Sequence, residues 1–153
     1  MRVPGAYPAL ESLVPETLGG RPPTRLDSGR NCTPINLGTL ADHGFRDVRF
    51  AGGLWATGST SGVTLAVFEA DGLTAAHIGE WYEASARLSS KTAGLRPSRP
   101  VIDGRQAYRL DLLASDTPQT VVAWSSADRR VVQVVIAAAV PESEIQAAIA
   151  AFG

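Results

Sequence analysis

The last third of the chain is a run of β-branched and aromatic residues that two turn signals divide into strand-sized pieces. These signals are Ser115-Asp116-Thr117-Pro118 and Ala127-Asp128-Arg129, and both are rich in residue types that favour turns. From Gln106 to Phe152 the pattern therefore predicts strand, turn, strand, turn, strand and a closing helix. Three strands joined by short turns form an antiparallel meander. We expect an α+β fold, an antiparallel sheet covered by helices.

Two segments are apolar on both of the faces that a strand presents. In the first segment, one face carries Val63, Leu65 and Val67, and the other carries Thr64, Ala66 and Phe68. In the second segment, one face carries Val132, Val134, Ile136 and Ala138, and the other is dominated by Val131, Val135 and Ala137. A strand of this kind needs cover above and below, or an intermolecular contact. We therefore expect both strands to lie inside the sheet.

Three helices are predicted from capping residues and apolar spacing. The strongest candidate runs from Thr74, its N-cap, to Ser89, and presents Ile78, Trp81, Tyr82, Ser85 and Leu88 on one face. A second lies within Asn31 to Gly44, capped either by Thr33 with Pro34 as first residue or by Asn36. The closing helix begins at Pro141 and presents Ile145, Ala148, Ile149 and Phe152.

Glycine and proline positions suggest the remaining elements. Gly52-Gly53 separates Asp47 to Phe50 from Leu54 to Thr57, which predicts a hairpin or a bulged pair. Thr24 to Asp27 is an edge-strand candidate, and Lys91 to Pro100 is predicted to be a polar loop. Residues 1–23 are interpreted as an irregular lead-in with a short helix, and residues 24–153 as a single α+β domain, since 153 residues suffice for one core.

Composition argues against several classes of partner. With 14 basic and 15 acidic residues the net charge is −1, so no strong field attracts nucleic acid or an anionic membrane. No apolar run approaches the ~20 residues of a membrane span. Cys32 is the only cysteine, which excludes an internal disulfide and a cysteine-rich zinc site. We expect no metal or other cofactor, and a protein or small molecule as partner.

Candidate chemistry is concentrated on the Thr74 helix, where His77, Glu80 and Glu83 follow one another at three-residue spacing. Such neighbours can touch, so an imidazole and two carboxylates could share acid-base work or contribute to a metal site. The alternative interpretation is a solvated helix face. His43 precedes the helix-ending Gly44, where a capping role is expected.

Two further sets of residues are candidates for ligand or partner binding. Trp55 and Trp124 lie in predicted strands and would form an interaction surface if exposed, or core packing if buried. Arg96, Arg99 and Arg105 surround a Pro-containing loop and could receive a carboxylate or phosphate, or could simply be solvated.

Three passages resemble small extracytoplasmic α+β domains of the Mog/PsbP-like type. These are Gly62 to Glu69, the helical Glu80-Trp81-Tyr82-Glu83-Ala84, and Ile102 to Leu110. The resemblance covers about residues 62–152 and implies a Mog/PsbP-like sandwich, an antiparallel sheet with helices on its faces. It also implies a binding or accessory module, often in bacterial secreted proteins or lipoproteins, and not an enzyme.

The expected function is therefore non-enzymatic binding of a protein or small ligand through the sheet face or the loops, in an extracytoplasmic setting. Met1 to Leu10 lacks the charged start and apolar stretch of a secretory signal, so a cytoplasmic location stays open. The alternative is a small hydrolase or isomerase that uses His77 with Glu80 or Glu83. Homodimerisation through an uncovered sheet edge or face is a third hypothesis.

Overall fold

The structure, a computed structural model, describes residues 2–3, 5–88, 94–112 and 118–152. The strands are β1 (Arg2–Val3), β2 (Arg25–Asn31), β3 (Val48–Ala56), β4 (Gly62–Glu69), β5 (Leu95–Ser98), β6 (Val101–Ile102), β7 (Arg105–Gln106), β8 (Tyr108–Leu112), β9 (Gln119–Ser125) and β10 (Val132–Ala138). The helices are α1 (Pro8–Glu11), α2 (Pro34–Leu37), α3 (Thr39–Asp42), α4 (Ala75–Arg87) and α5 (Glu142–Ala151). The fold is α+β, as the sequence predicts.

Eight of these strands form one sheet in the order β1-β2-β3-β4-β10-β9-β8-β5, and β6 and β7 form a small separate hairpin. Every pair of neighbouring strands is antiparallel. The predicted meander is confirmed as β8, β9 and β10, followed by α5. Within its first turn, residues 115–117 lie outside the described residues. The second turn is stabilised by Asp128, whose Oδ1 accepts from the Ser126 hydroxyl at 2.7 Å and the Arg130 N–H at 3.0 Å.

Helices cover both faces of the sheet, and β4 and β10 lie at its centre. On the α5 face, α1 and α5 pack over the buried Val63, Leu65, Val67, Val135 and Ala137. On the α4 face, α2, α3 and α4 pack over Ala66, Phe68, Val132 and Val134. The prediction that both two-sided apolar strands lie inside the sheet is confirmed, because their alternate residues supply two separate cores.

The predicted helix after Thr74 forms as α4, with Thr74 as its N-cap. Ile78 is fully buried, and Trp81 and Tyr82 pack against the same core. The apolar face ends before Leu88, which is 90% exposed. The prediction for that position was wrong, since α4 ends at Arg87 and Leu88 lies beyond the packed sheet face.

The predicted hairpin at Gly52-Gly53 was wrong, because both glycines lie inside the continuous strand β3. Gly52 pairs with Asp27 of β2 and Ala66 of β4, so the chain passes straight through the sheet. The indole of Trp55 explains Gly53: a Cβ there would lie 2.9 Å from the Trp55 Cζ3 atom. Glycine at this position leaves room for a neighbouring ring and does not mark a turn.

Two other predictions need correction. The predicted helix within residues 31–44 is divided into α2 and α3 by Gly38, whose φ of +49° is in the region that favours glycine. Its capping by Thr33 is confirmed, since the Thr33 hydroxyl accepts from the Asn36 N–H at 3.2 Å. The part of the predicted 91–100 loop that the structure describes contains β5, which pairs with β8.

The N-terminal segment is attached to the sheet by Ser28 of β2. The buried Ser28 hydroxyl donates to Glu11 Oε2 at 2.6 Å and accepts from the Tyr7 N–H at 2.8 Å. Glu11 also accepts from the Gly5 N–H at 2.7 Å. The predicted edge strand is longer than Thr24 to Asp27, since β2 extends to Asn31 and has β1 on its outer side.

Candidate functional site

A cleft opens on the α4 face of the sheet, at the end of β2, β3, β4 and β10 that α4 leaves partly uncovered. Its volume is about 110 Å³. We call it the sheet cleft and define it by its lining residues: Arg25, Asp27, Phe50, Gly52, Gly53, Leu54, Thr64, Ala66, Phe68, Tyr82 and Ile136. Strand register explains the set, because Arg25, Leu54, Thr64 and Ile136 follow one another across four neighbouring strands.

Small residues leave the space in the middle of the sheet cleft. Gly52 and Ala66 face each other across β3 and β4, in the row next to that of Arg25. A Cβ at Gly52 would lie 3.5 Å from the Ala66 Cβ and 3.7 Å from the Leu65 carbonyl oxygen. These are ordinary contacts, so the sheet itself would accept a side chain at position 52.

A carboxylate and a guanidinium form the polar side of the sheet cleft. The Asp27 side chain is only 12% exposed, whereas that of Arg25 is 65% exposed. Arg25 Nε lies 3.8 Å from Asp27 Oδ2, which is an ion pair but longer than a charge-assisted hydrogen bond. Thr64 of β4 also lines the cleft. The buried acid and the exposed base thus present opposite charges a few ångströms apart.

Aromatic rings also line the cleft. The Phe50 and Phe68 centroids are 6.0 Å apart, Phe68 is 5.9 Å from Trp81, and Trp81 is 5.1 Å from Tyr82. The last two pairs meet edge to face, an arrangement that the ring quadrupoles favour. The four rings therefore form one continuous chain from the sheet to α4, and its two ends and Phe68 line the cleft.

The three predicted acid-base residues of α4 have separate partners. His77 is part of the helix cap. Its side-chain Nδ1 accepts from the Thr74 backbone N–H at 3.1 Å, and its backbone N–H donates to the Thr74 hydroxyl at 3.3 Å. Glu80 Oε2 lies 2.8 Å from Nε2 of His43. Glu83 accepts from the Tyr108 hydroxyl at 2.8 Å. None of the three lines the sheet cleft.

Electrostatics around His77 favour its neutral form. Burial lowers the pKa of His77, and the neighbouring His43 lowers it further, against a weaker opposing effect of Glu80. The two imidazole centroids are 4.7 Å apart, and Phe45 packs edge-on against His77 at 5.0 Å. A neutral ring keeps Nδ1 as the acceptor that the helix cap requires.

Both tryptophans proposed for an interaction surface are buried. Trp55 is 2% exposed and its indole N–H donates to the Arg21 carbonyl at 2.9 Å. Trp124 is 1% exposed and meets Phe152 of α5 edge to face at 5.4 Å. The structure therefore places both in the core of the α5 face, the alternative that burial predicts for large aromatic residues.

The three arginines proposed around the Pro-containing loop have different surroundings. Arg96 is exposed in β5, opposite Asp111 of β8. Arg99 stacks over the ring of Tyr108, with its Cζ 4.3 Å from the centroid. Arg105 is half-buried in the β6–β7 hairpin. Arg96 and Arg105 thus lie in different strands, and Arg99 lies between β5 and β6.

A polar network that the sequence patterns did not reveal joins α5 to the sheet. Arg109 of β8 donates to both oxygens of Glu142, at 2.7 and 2.8 Å, and to both oxygens of Asp111, at 2.9 and 3.1 Å. Thr120 and Gln146 complete it with further hydrogen bonds to these carboxylates. These contacts raise the pKa of Arg109, and Arg109 followed by Gln146 lowers the pKa of Glu142 to about 2.

The sheet cleft was also missed from the sequence, although one signal for it exists. Two adjacent glycines interrupt a run of strand-forming residues, and that pattern fits a close approach within a strand as well as a turn. The sequence around Asp27 does not indicate a site. Asp27 comes close to Gly52 because β2 pairs with β3, and it shares the cleft with Tyr82 because α4 packs on the sheet.

Within the described ranges, no three His, Cys, Asp or Glu side chains are grouped so that they could hold a metal ion. The helices of the same ranges include none with both the length and the apolar character needed to cross a membrane. Comparison of the chain with models of protein families, with curated proteins and with solved structures gives no significant match.

Proposed function

We propose that the protein is a non-enzymatic binding or accessory domain that takes a small group of its ligand or partner into the sheet cleft. The observation that carries this proposal is Gly52. It lies in the interior of β3 without a positive φ, and a side chain there would make only ordinary contacts. Neither backbone conformation nor crowding therefore requires glycine at this position.

A glycine in a strand interior has a cost. It gives up side-chain packing and loses more conformational freedom on folding than other residues, a penalty of roughly 0.5–1 kcal/mol relative to alanine. Sites that sacrifice stability for open space are characteristic of binding surfaces. Gly52 supports binding because its missing side chain is what keeps the centre of the cleft open.

The chemistry of the lining supports binding rather than catalysis. Its polar residues are Asp27, Arg25, Thr64 and Tyr82, beside apolar and aromatic side chains. Polar groups at fixed positions in a cavity determine the orientation of a ligand. Among the described residues the lining includes neither histidine nor cysteine, so it shows no pairing of an imidazole base with a nucleophile.

The three-layer arrangement supports the finer proposals of architecture and location. Helices on both faces of an antiparallel sheet match what a Mog/PsbP-like sandwich would show, and we propose that relationship for residues 62–152. On the same resemblance we propose an extracytoplasmic location. Sequencing of the genomic region upstream of Met1, with fractionation of the source cells, tests the location directly.

Substitution at Gly52 tests the binding proposal. In Gly52→Val the added side chain should fill the cleft, so the variant should melt at a temperature equal to or above that of the original protein. Compounds from a broad library that raise the melting temperature of the original protein should have no effect on it. Ala56→Val is the control, since it places the same valine side chain at an exposed position of β3 outside the lining.

Two results would count against the proposal. A library that produces no melting shift with the original protein would remove the evidence for a small ligand. Compounds that shift Gly52→Val as much as the original protein would bind elsewhere, and the sheet cleft would lose its role.

A further inference from the structure

We infer that the protein has a second binding site, on the α5 face of the sheet, for a small uncharged apolar molecule about the size of a substituted benzene ring. The site is a cavity of about 200 Å³ between the turn at residues 18–21, the end of the β3–β4 hairpin and α5. We call it the α5 cavity. Among the described residues it shares no lining residue with the sheet cleft, so the inference goes beyond the proposed function and does not depend on it.

The turn that forms the first wall of the α5 cavity has a fixed conformation. Leu18 and Arg21 exchange backbone hydrogen bonds at 2.9 and 3.2 Å. Gly19 and Gly20 between them have φ values of +60° and +77°, as the two-residue turns that favour glycine require. The turn is also attached to β3, because the Trp55 indole N–H donates to the Arg21 carbonyl at 2.9 Å.

The other two walls are held in place as well. Thr57 closes the β3–β4 loop, since its N–H donates to the Ser61 carbonyl at 3.1 Å and its hydroxyl to the Ser61 hydroxyl at 2.9 Å. The third wall, α5, is attached to β8 by the two hydrogen bonds between Arg109 and Glu142. A cavity with such walls is preformed, so a ligand does not have to order the chain when it binds.

The least exposed residues of the lining are apolar. Trp55 and Val63 are each 2% exposed, and the half-buried Leu18 packs against the same core. Ala147 of α5 also lines the cavity and is exposed, because its methyl group is too short to fill the space. An apolar ligand would cover this lining and remove it from water, which is favourable.

Volume limits the ligand to about eight non-hydrogen atoms. An apolar protein cavity of about 150 Å³ accommodates benzene, and the α5 cavity encloses about 200 Å³. In the same proportion it accommodates a benzene ring with one or two additional atoms.

The charged residues of the lining balance each other. They are Arg21 and Glu144, both exposed, and within the described ranges neither side chain forms an ion pair. An ionic ligand would meet one like and one opposite charge, and would lose hydration in the cavity without a net gain. The lining therefore favours an uncharged ligand.

Three probes with one benzene ring test this class. At pH 7 benzyl alcohol is neutral, benzylamine is a cation and benzoate is an anion. In an NMR titration of the full-length chain, benzyl alcohol should bind saturably with a dissociation constant in the millimolar range or below, and should shift the Trp55 indole N–H signal. Benzylamine and benzoate should each bind about threefold or more weakly, because of their lost hydration.

Two leucine variants of α5 assign the site. Ala147→Leu adds three carbon atoms to the lining and should weaken benzyl alcohol binding by about tenfold or more. Ala150→Leu is the matched control, since it makes the same change at another exposed position of α5 outside the lining. Alanine and leucine are both strong helix formers, and melting curves verify folding. Ala150→Leu and Gly52→Val should both bind benzyl alcohol as the original protein does.

Three results would overturn the inference. The first is the absence of saturable benzyl alcohol binding to the original protein, a measurement that requires no variant. The second is binding that persists in Ala147→Leu, which would place the probe elsewhere. The third is a charged probe that binds as tightly as benzyl alcohol, which would exclude an uncharged class of ligand. The proposed function is decided separately, by compounds whose effect is lost in Gly52→Val and retained in Ala147→Leu.

Discussion

The ring of Tyr108 lies directly against Gly79, in the middle of α4. A Cβ at position 79 would overlap the ring carbons, so the helix can approach β8 only because glycine is present. The Tyr108 hydroxyl donates to Glu83, one turn further along the same helix, and the Arg99 guanidinium lies over the ring, 4.3 Å from its centroid. Burial, followed by the hydrogen bond to Glu83, raises the pKa of Tyr108 to about 12. This pair fixes the distance between α4 and the sheet.

Substitution of Gly79 by alanine should therefore destabilise the protein, although alanine is the better helix former. The gain in helix propensity is about 1 kcal/mol, whereas overpacking a core typically costs about 1–3 kcal/mol, and more where backbone must move. We expect a net loss of roughly 1–2 kcal/mol in the free energy of unfolding, measured by urea denaturation.

The control is the same substitution in a Tyr108→Leu background. A smaller, flexible side chain removes the ring overlap, so alanine at position 79 should then be neutral or stabilising. A loss of the same size in both backgrounds would show that the ring is not the cause.

The contact between Arg109 and Glu142 predicts how the protein responds to acid. The pKa of Glu142 is lowered from 4.5 to about 2, mainly by its hydrogen bonds to Arg109. Because the folded-state pKa is depressed, the stabilisation is present above pH 4.5 and is lost as pH falls from 4.5 towards 2. Glu142→Gln should weaken this loss and reduce stability at pH 7 by less than about 1 kcal/mol, since the carboxylate is half exposed.

Glu144→Gln is the matched control for Glu142, because both carboxylates lie in the first turn of α5. Any effect of the helix dipole is shared by the two variants. Melting temperatures recorded from pH 7 to pH 2 should differ between them, and matching curves would exclude a specific role for Arg109.

Local sequence patterns predicted the layers of this fold better than its site. The alternation in β4 and β10 directly encodes burial on two faces, so their central position could be predicted from residues 62–69 and 131–138 alone. The sheet cleft depends instead on non-local pairing. Asp27 and Tyr82 share a cavity only after β2 has registered against β3 and α4 has packed on the sheet.

His77 predicts a second pH effect, in a different range. Its pKa lies below the usual 6.5, mainly because of burial. As pH falls below 6.5 the unfolded chain binds a proton before the folded chain does, which destabilises the fold until the lower folded pKa is passed. Above pH 6.5 no contribution is expected. Protonation of Nδ1 would also remove the acceptor for the Thr74 N–H.

His77→Gln tests this effect while preserving the cap, since glutamine at the third helical position can accept the same hydrogen bond. The variant should lose part of the decline in melting temperature between pH 7 and pH 5. The pair of His43 and Glu80 faces the same ring and is unchanged in both proteins. An identical decline would assign the pH dependence to other groups.

The adjacent glycines of β3 should respond to alanine in opposite ways, because they face different sides of the sheet. A Cβ at Gly53 would lie 2.9 Å from Trp55 Cζ3 and 3.3 Å from Val14 Cγ1. The indole cannot withdraw easily, since its N–H is bonded to the Arg21 carbonyl. Gly53→Ala should therefore cost about 1–3 kcal/mol of unfolding free energy, with a shift in tryptophan fluorescence.

Gly52→Ala should instead be neutral or stabilise the protein by up to about 1 kcal/mol, since its Cβ enters open space and the unfolded chain loses conformational freedom. Denaturant titrations of the two variants under the same conditions make the comparison. A similar loss of unfolding free energy in both variants would mean that β3 cannot accommodate a side chain at either position. Gly52 would then be required by the sheet itself. A loss of unfolding free energy in Gly53→Ala without such a loss in Gly52→Ala would show that the two glycines differ in role. Gly53 would then be required by packing, and Gly52 would keep the cleft open.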